Sequence, residues 1–261
     1  MEFYPEIGVT RDVASRPERS CKAIRYLFSV RYYFDEVTPD NLEPEGIDLP
    51  GFSYYDTQNG FYIYKNDYAL PMGFTFDTYV SRSQWETYSE SDRCNLLLRA
   101  LVLEDDTVET YQNWMQKLPD AVHQMSDEDL LAECTERTKT ACDSFTYNSK
   151  GFHATISTDH ENLVFFSVPW EEGWSAEVNG KPVSIEKADV GFMAVPVPAG
   201  DSEITFTYHT PGLKAGALLS LGGLVLFAGY LTVAGIYNKR HPNPKTESIC
   251  CVDYSTEETA N

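Results

Sequence analysis

The sequence predicts an α+β protein: a mixed α/β segment, then a small antiparallel β-sandwich-like domain, then one transmembrane helix. Three observations carry this. Residues 151–210 repeatedly alternate apolar and polar side chains, the period-2 mark of half-buried strands. Upstream, apolar residues recur at helical spacing behind capping residues. From Gly216 to Tyr237 the chain runs 22 residues without a charge.

In chain order, Ser29–Phe34 (SVRYYF) and Gly60–Tyr64 (GFYIY) read as strands flanking a Pro- and acid-rich loop over 37–51. Leu96, Leu97 and Ala100 make an apolar stripe that predicts a helix over Ser89–Leu103. Ser126 stands three residues before Asp129, with Leu130, Leu131, Cys134 and Thr138 following, and predicts a capped helix from about Asp127 to Phe145.

In the β region, Phe152, Ala154 and Ile156 share one face of a strand, while Asn162–Val168 is apolar on both faces, as a central strand would be. Asn179-Gly180 between Ala176–Val178 and Val183–Ile185 spells a type I′ hairpin, because both residues tolerate positive φ. Gly191–Val197 is the next strand and Pro198–Asp201 a turn. Ile204, Phe206 and Tyr208 form the inward face of the last strand, which leads through Pro211-Gly212 almost directly into the apolar helix. The expected division is 1–125 mixed α/β, 126–150 connecting helix, 151–213 β domain, 214–237 membrane helix and 238–261 tail.

At 1.5 Å per residue the uncharged run covers about 33 Å, enough to cross a hydrocarbon core of ~30 Å. Lys239, Arg240 and Lys245 follow it, whereas Lys214 is the only basic side chain in the twenty residues before it, so the tail is expected in the cytoplasm and residues 1–214 outside. The alternative, a tail-anchored protein with a cytosolic domain, reverses this bias. The amino terminus, MEFYPEIGVTRDVASRPERS, has no basic stretch leading into an apolar one. The economical expectation is that earlier membrane helices belong to the parent or to a split partner. Gly216/Ser220 and Ala228/Thr232 are small-xxx-small pairs through which such helices could approach.

Composition limits partners. With 40 Asp and Glu against 20 Lys and Arg the chain carries −20 and a pI near 4.5, which repels phosphate backbones and argues against nucleic acid. Six cysteines show no CxxC pair and no His at zinc spacing, so no metal ligands and no cofactor are assigned. Cys134 and Cys142 lie about 12 Å apart along one predicted helix, too far for a disulfide. Asp105-Asp106 and Asp127–Asp129 lack the calcium-loop pattern. The five histidines are scattered, with no nucleophile signal, and no catalytic residue is assigned. Glu171-Glu172 between Trp170 and Trp174 is the one place where carboxylates meet rings able to stack on a sugar. Trp170 and Trp174 are therefore candidate glycan contacts, against the plainer reading of a solvated turn with core or membrane-proximal tryptophans.

Several motifs recur in one order: Arg25 with Ser29-Val30-Arg31-Tyr32-Tyr33; Asn59-Gly60-Phe61 with Tyr64; Ala69–Phe74 (ALPMGF); Phe166–Trp170 (FSVPW) with Gly173-Trp174; Asn179-Gly180; Gly191–Ala194 (GFMA); and Tyr208 with Pro211-Gly212. This string resembles the YfhO family of bacterial polytopic membrane proteins over nearly the whole chain. The resemblance implies kinship with lipid-linked glycosyltransferases of the GT-C type, connected with adding sugars to lipoteichoic acid or related cell-surface polymers. It also implies a polyprenyl-phosphate sugar donor for the full-length family and a cell-membrane location. The expected partners are the lipid bilayer, sibling transmembrane helices and cell-surface glycan. The GT-C catalytic acid lies in an early extracytoplasmic loop with no counterpart in this sequence, so the fragment alone is expected to be inactive. The alternative is a non-catalytic glycan-binding or membrane scaffold domain.

Overall fold

A computed structural model describes residues 3–9, 21–38, 44, 47–119 and 125–241. Its first elements are helices α1 (Phe3–Glu6) and α2 (Ala23–Leu27), then strands β1 (Tyr32–Glu36), β2 (Phe52–Gln58) and β3 (Phe61–Asn66). These strands form an antiparallel sheet of order β1-β3-β2, turned at Asn59-Gly60, where both residues take positive φ. Next come β4 (Phe74–Thr75), β5 (Thr78–Ser81), α3 (Arg82–Glu86), α4 (Glu90–Leu96), β6 (Leu101–Leu103), α5 (Asp105–Tyr111), β7 (Gln116–Lys117) and α6 (Asp127–Lys139). The remainder is β8 (Ser144–Asn148), β9 (Gly151–Thr158), β10 (Asn162–Pro169), β11 (Trp174–Val178), β12 (Lys181–Val183), β13 (Glu186–Ala188), β14 (Phe192–Val197), β15 (Gly200–Tyr208) and α7 (Leu213–Arg240). The chain divides into two compact units, residues 1–209 and 210–261.

The first unit is organised by two further sheets. One has five antiparallel strands in the order β12-β11-β15-β9-β8; the other has seven in the order β4-β10-β14-β13-β6-β5-β7. Phe152, Ala154, Ile156, Ala176, Val178, Ile204 and Phe206 from the five-stranded sheet pack on Val164, Phe166, Met193, Val195 and Val197 of β10 and β14. The alternate residues of those two strands, Leu163, Phe165, Phe192 and Ala194, enter a larger core with Phe3, Leu27, Phe74, Phe76, Trp85 and Leu101. Strands β10 and β14 are thus buried on both faces, which is why 162–168 reads apolar throughout. The expected boundary near residue 151 is crossed by this arrangement, since the seven-stranded sheet draws strands from both sides of it.

Local signals hold where they are strong. Ser126 Oγ accepts from the Asp129 N–H at 3.1 Å and Asp129 Oδ2 accepts from the Ser126 N–H at 3.1 Å, a complete capping box. Asn179 and Gly180 take φ of 52° and 71° in the β11–β12 hairpin. Two helices end earlier than the sequence predicts. The first stops at Leu96, because Leu101–Leu103 is fully buried and finds a parallel partner in β5. Helix α6 stops at Lys139, and Ser144–Asn148 is strand β8 paired with β9, so 126–150 is not one connecting helix. In both places a short β-prone run gains a ladder that helix continuation would forfeit. Strands β2, β4, β5, β7 and β13 have no counterpart among the strands the sequence predicts.

Covalent and ionic ties secure the amino-terminal helices. Cys21 and Cys94 form a disulfide with Cα atoms 5.4 Å apart and a sequence separation of 73. Glu6 accepts from Arg82 and Arg93, both at 2.7 Å, and from Trp85 Nε1 at 3.3 Å. Cys134 and Cys142 are unpaired, the former buried on α6 and the latter beyond its end. Burial pushes both thiols up to about 12 and keeps them protonated.

In the second unit, α7 is 28 residues long, carries no charged side chain between Gly216 and Tyr237, and leaves its apolar side chains exposed. By length and composition it can cross a membrane. Lys239 and Arg240 occupy its last turn.

Candidate groove on the five-stranded sheet

The two tryptophans singled out by sequence behave differently. Trp174 begins β11 and pairs with Tyr208 of β15. Its ring packs edge-on against Phe152 at 5.6 Å and Tyr208 at 5.0 Å, anchoring one end of the sandwich core. Trp170 precedes β11 in the connecting loop, its backbone N–H donates to Gly191 O at 2.9 Å, and 38% of it is exposed.

Trp174 and Tyr208 line a groove of about 390 Å³ together with Asn148, Ser149, Lys150, Gly151, Val168, Pro169 and Glu171. One wall is the β8–β9 turn, where Asn148 Oδ1 accepts from the Lys150 N–H at 2.8 Å. The other is the β10–β11 loop, tied down by the His209 N–H donating to Gly173 O at 2.8 Å. Two glycines let the walls approach. A Cβ on Gly173 would fall 2.5 Å from Tyr208 Cε2, and one on Gly151 would fall 1.9 Å from Phe206 O. Neither position can carry a side chain without moving the strand beside it.

Polar groups at the rim are few and complementary. Tyr208 Oη donates to Glu171 Oε2 at 3.1 Å, and this bond to a carboxylate raises the phenol above its ordinary range. Lys150 supplies an ammonium on the opposite wall. Glu172 and Trp170 do not line the groove, so the sequence's suggestion of two carboxylates between two rings resolves into one carboxylate beside one tryptophan and one tyrosine. A glycosidase needs two carboxyl groups across the scissile bond, and this groove offers one. What it can do is stack an apolar ring face on Trp174 and Tyr208 while Glu171, Lys150 and Asn148 exchange hydrogen bonds with hydroxyls.

Sequence reasoning missed the groove's other residues because they arrive through strand register and a neighbouring hairpin. It also missed the Cys21–Cys94 bridge, for which no spacing rule applies. No group of three His, Cys, Asp or Glu side chains able to hold a metal occurs among the described residues.

Comparison with known proteins gives a consistent answer. Residues 120–220 match the family model described as "Bacterial membrane protein YfhO". A stretch of 89 residues is 32% identical to the "Uncharacterized protein YfhO" of Bacillus subtilis (strain 168), covering 34% of this chain and 10% of the relative. The match thus spans about a tenth of that relative's length. The motifs from Phe166 to Gly212 fall inside the family match, and those from Arg25 to Phe74 lie before it. No solved structure matches the chain.

Proposed function

We propose, from the match of residues 120–220 to the YfhO family of bacterial membrane proteins, that this chain is the anchored, extracytoplasmic, glycan-handling part of a machine that moves lipid-linked sugars onto lipoteichoic acid or a related envelope polymer. On this reading α7 is the anchor and the groove seats the acceptor glycan. The chain itself contributes no reacting group, and the sugar-transfer centre resides elsewhere in the parent or its partner. The observation that carries the reading is the groove: two aromatic rings flanked by a carboxylate, an ammonium and an amide are the equipment for a pyranose, whose faces are apolar and whose edges are hydroxylated.

Two features support an extracytoplasmic placement. Basic residues cluster at the carboxyl end of α7, where Lys239 and Arg240 stand against the single Lys214 at its start. The Cys21–Cys94 bridge joins positions 73 residues apart, and such structural disulfides persist in oxidising compartments. A net charge of −19 before Gly216, from 17 basic and 36 acidic residues, suits a well-solvated surface that meets neutral sugar by stacking and hydrogen bonding.

The test is retention of the full chain, in detergent micelles, on immobilised lipoteichoic acid. Trp174→Ala should weaken retention at least tenfold. Because Trp174 also packs into the core, Lys150→Ala with Glu171→Ala provides a second arm that leaves the packing intact and should cost a similar factor. Trp170→Ala should cost less. Unchanged retention in both groove variants would refute the assignment. In a full-length relative, removing the segment equivalent to 151–210 should abolish or redirect glycan transfer, and normal transfer would count equally against it.

A further inference from the structure

The sheet β1-β3-β2 buries Tyr62 and Tyr64 on one face, with Tyr54 at its margin 49% exposed, and leaves the other face bare. Register places Tyr32 opposite Lys65, Phe34 opposite Ile63 and Glu36 opposite Phe61, so these alternate residues share a side. Tyr62 and Tyr64 point the other way and are 3% and 2% exposed. On the bare side Tyr32, Phe34 and Phe61 are 41%, 58% and 39% exposed. Tyr55, displaced by a bulge in β2, is 59% exposed and brings its ring to 5.8 Å from that of Tyr32. At 150–250 Å² per aromatic side chain, the four rings present roughly 400 Å².

That area discriminates between occupants. A specific protein interface removes about 800 Å² from each partner, so this face alone is half of what a stable second copy would need. A surface to which the unit is already tethered needs no such area, because attachment supplies an effective concentration in the millimolar range. The bilayer crossed by α7 is such a surface.

Contacts within the first unit place the sheet at its anchor end. Asn66, closing β3, donates to Val30 O from its side chain at 3.0 Å and to Arg31 O from its backbone at 2.9 Å. Two residues before Val30, Phe28 packs its ring 5.5 Å from that of Phe192. Phe192 pairs with Pro169, which opens the loop to Trp174, and Gly173 in that loop holds His209, the last residue before the second unit. The sheet is therefore rooted at the end of the unit where the chain departs for α7.

We infer that the outer face of β1-β3-β2, carried by Tyr32, Phe34, Tyr55 and Phe61, is a membrane-resting face that settles its aromatic rings into the interfacial region of the lipid bilayer. Tyrosine rings favour this zone, with an apolar body in the acyl boundary and a hydroxyl among headgroups. The one lysine of the face, Lys65, is engaged by Asp67 at 2.9 Å, so Coulomb attraction to anionic lipid plays no part. Docking is expected to be insensitive to salt.

The test uses the full chain in vesicles of phosphatidylcholine and phosphatidylglycerol, 4:1, carrying a photo-crosslinking p-benzoylphenylalanine in place of Phe34 or Tyr55. The control position is His160, an exposed residue in the turn at the opposite end of β10. Lipid adducts identified by mass should form at 34 and 55 at least tenfold more than at 160, with no fall between 0.05 and 0.5 M salt. Equal lipid yields at the three positions would overturn the inference, as would crosslinked dimers in place of lipid adducts, or adducts that vanish with salt. Loss of glycan retention in the groove variants leaves these yields untouched, so the two readings fail separately.

Discussion

Asp189 is the most exposed to test of the buried polar residues, although no solvent reaches it. Its backbone N–H donates to Val102 O at 2.9 Å and its Oδ1 accepts from the Val102 N–H at 2.9 Å, so one residue supplies both halves of a strand-like pairing. Oδ2 has no protein partner, and Asp189 and Val190 both take positive φ. Complete burial pushes the carboxyl up to about 7, while the single bond from Val102 pulls weakly the other way. The folded value lies above the unfolded one of about 3.9, so the fold binds the extra proton. The contribution is complete below the unfolded value, declines as pH rises, and levels off once pH passes the folded value. Across pH 5 to 8 this linkage amounts to about 2.5 kcal/mol of lost stability. Asp189→Asn keeps an oxygen for Val102 and cannot titrate. Measured by urea unfolding in micelles and followed by tryptophan fluorescence, the variant's stability relative to the native chain should rise by about 2.5 kcal/mol from pH 5 to pH 8. Groups common to both proteins cancel in that difference. Parallel pH profiles, within about 0.5 kcal/mol, would show that the carboxylate is accommodated charged and that burial does not govern it.

Three further outcomes can be checked. Glu6→Gln leaves the buried parts of Arg82 and Arg93 without their counter-ion and should cost about 2–4 kcal/mol by denaturant titration. Burial alone would raise this carboxyl, but the bonds and charges of Arg82, Trp85 and Arg93 prevail and lower it, so its stabilisation is present above about 4.5 and is lost as acid carries pH through the lower folded value. Cys94→Ser opens a 73-residue loop and should destabilise by about 4 kcal/mol on loop entropy, with reductant lowering the native melting temperature but not the variant's. Gly151→Ala drives a methyl into Phe206 O and should loosen the β9–β15 ladder by about 2–3 kcal/mol, read as faster amide exchange at Thr205 and Thr207.

Legibility followed the range of the interactions concerned. Asn179-Gly180 and the Ser126–Asp129 box are decided by neighbouring residues, and both occur as the sequence indicates. Leu101–Leu103 was ambiguous because three apolar residues at the end of a helical stripe look alike until β5 is known to lie beside them. The Cys21–Cys94 pair depends on a fold that brings α2 to α4, which no local pattern encodes. Trp174 was legible as a candidate, but Tyr208 joins it through β11–β15 register and Lys150 through a hairpin read as the tail of a helix. Trp170, its neighbour in sequence, goes elsewhere for the same reason: three residues of loop separate side chains that a linear reading places together.

Interleaving in the seven-stranded sheet has a consequence for biogenesis. Strand β4 is made early, yet its ladder neighbour is β10, and β6 gains its antiparallel partner only when β13 has been synthesised. The core of the earlier half therefore waits, unsheltered, until synthesis has passed Val197, and by then β15 alone precedes the apolar helix. Folding and membrane insertion are thrown into the same interval, during which high contact order makes the nascent unit slow to close and dependent on chaperones or proteases at the membrane surface for its fate.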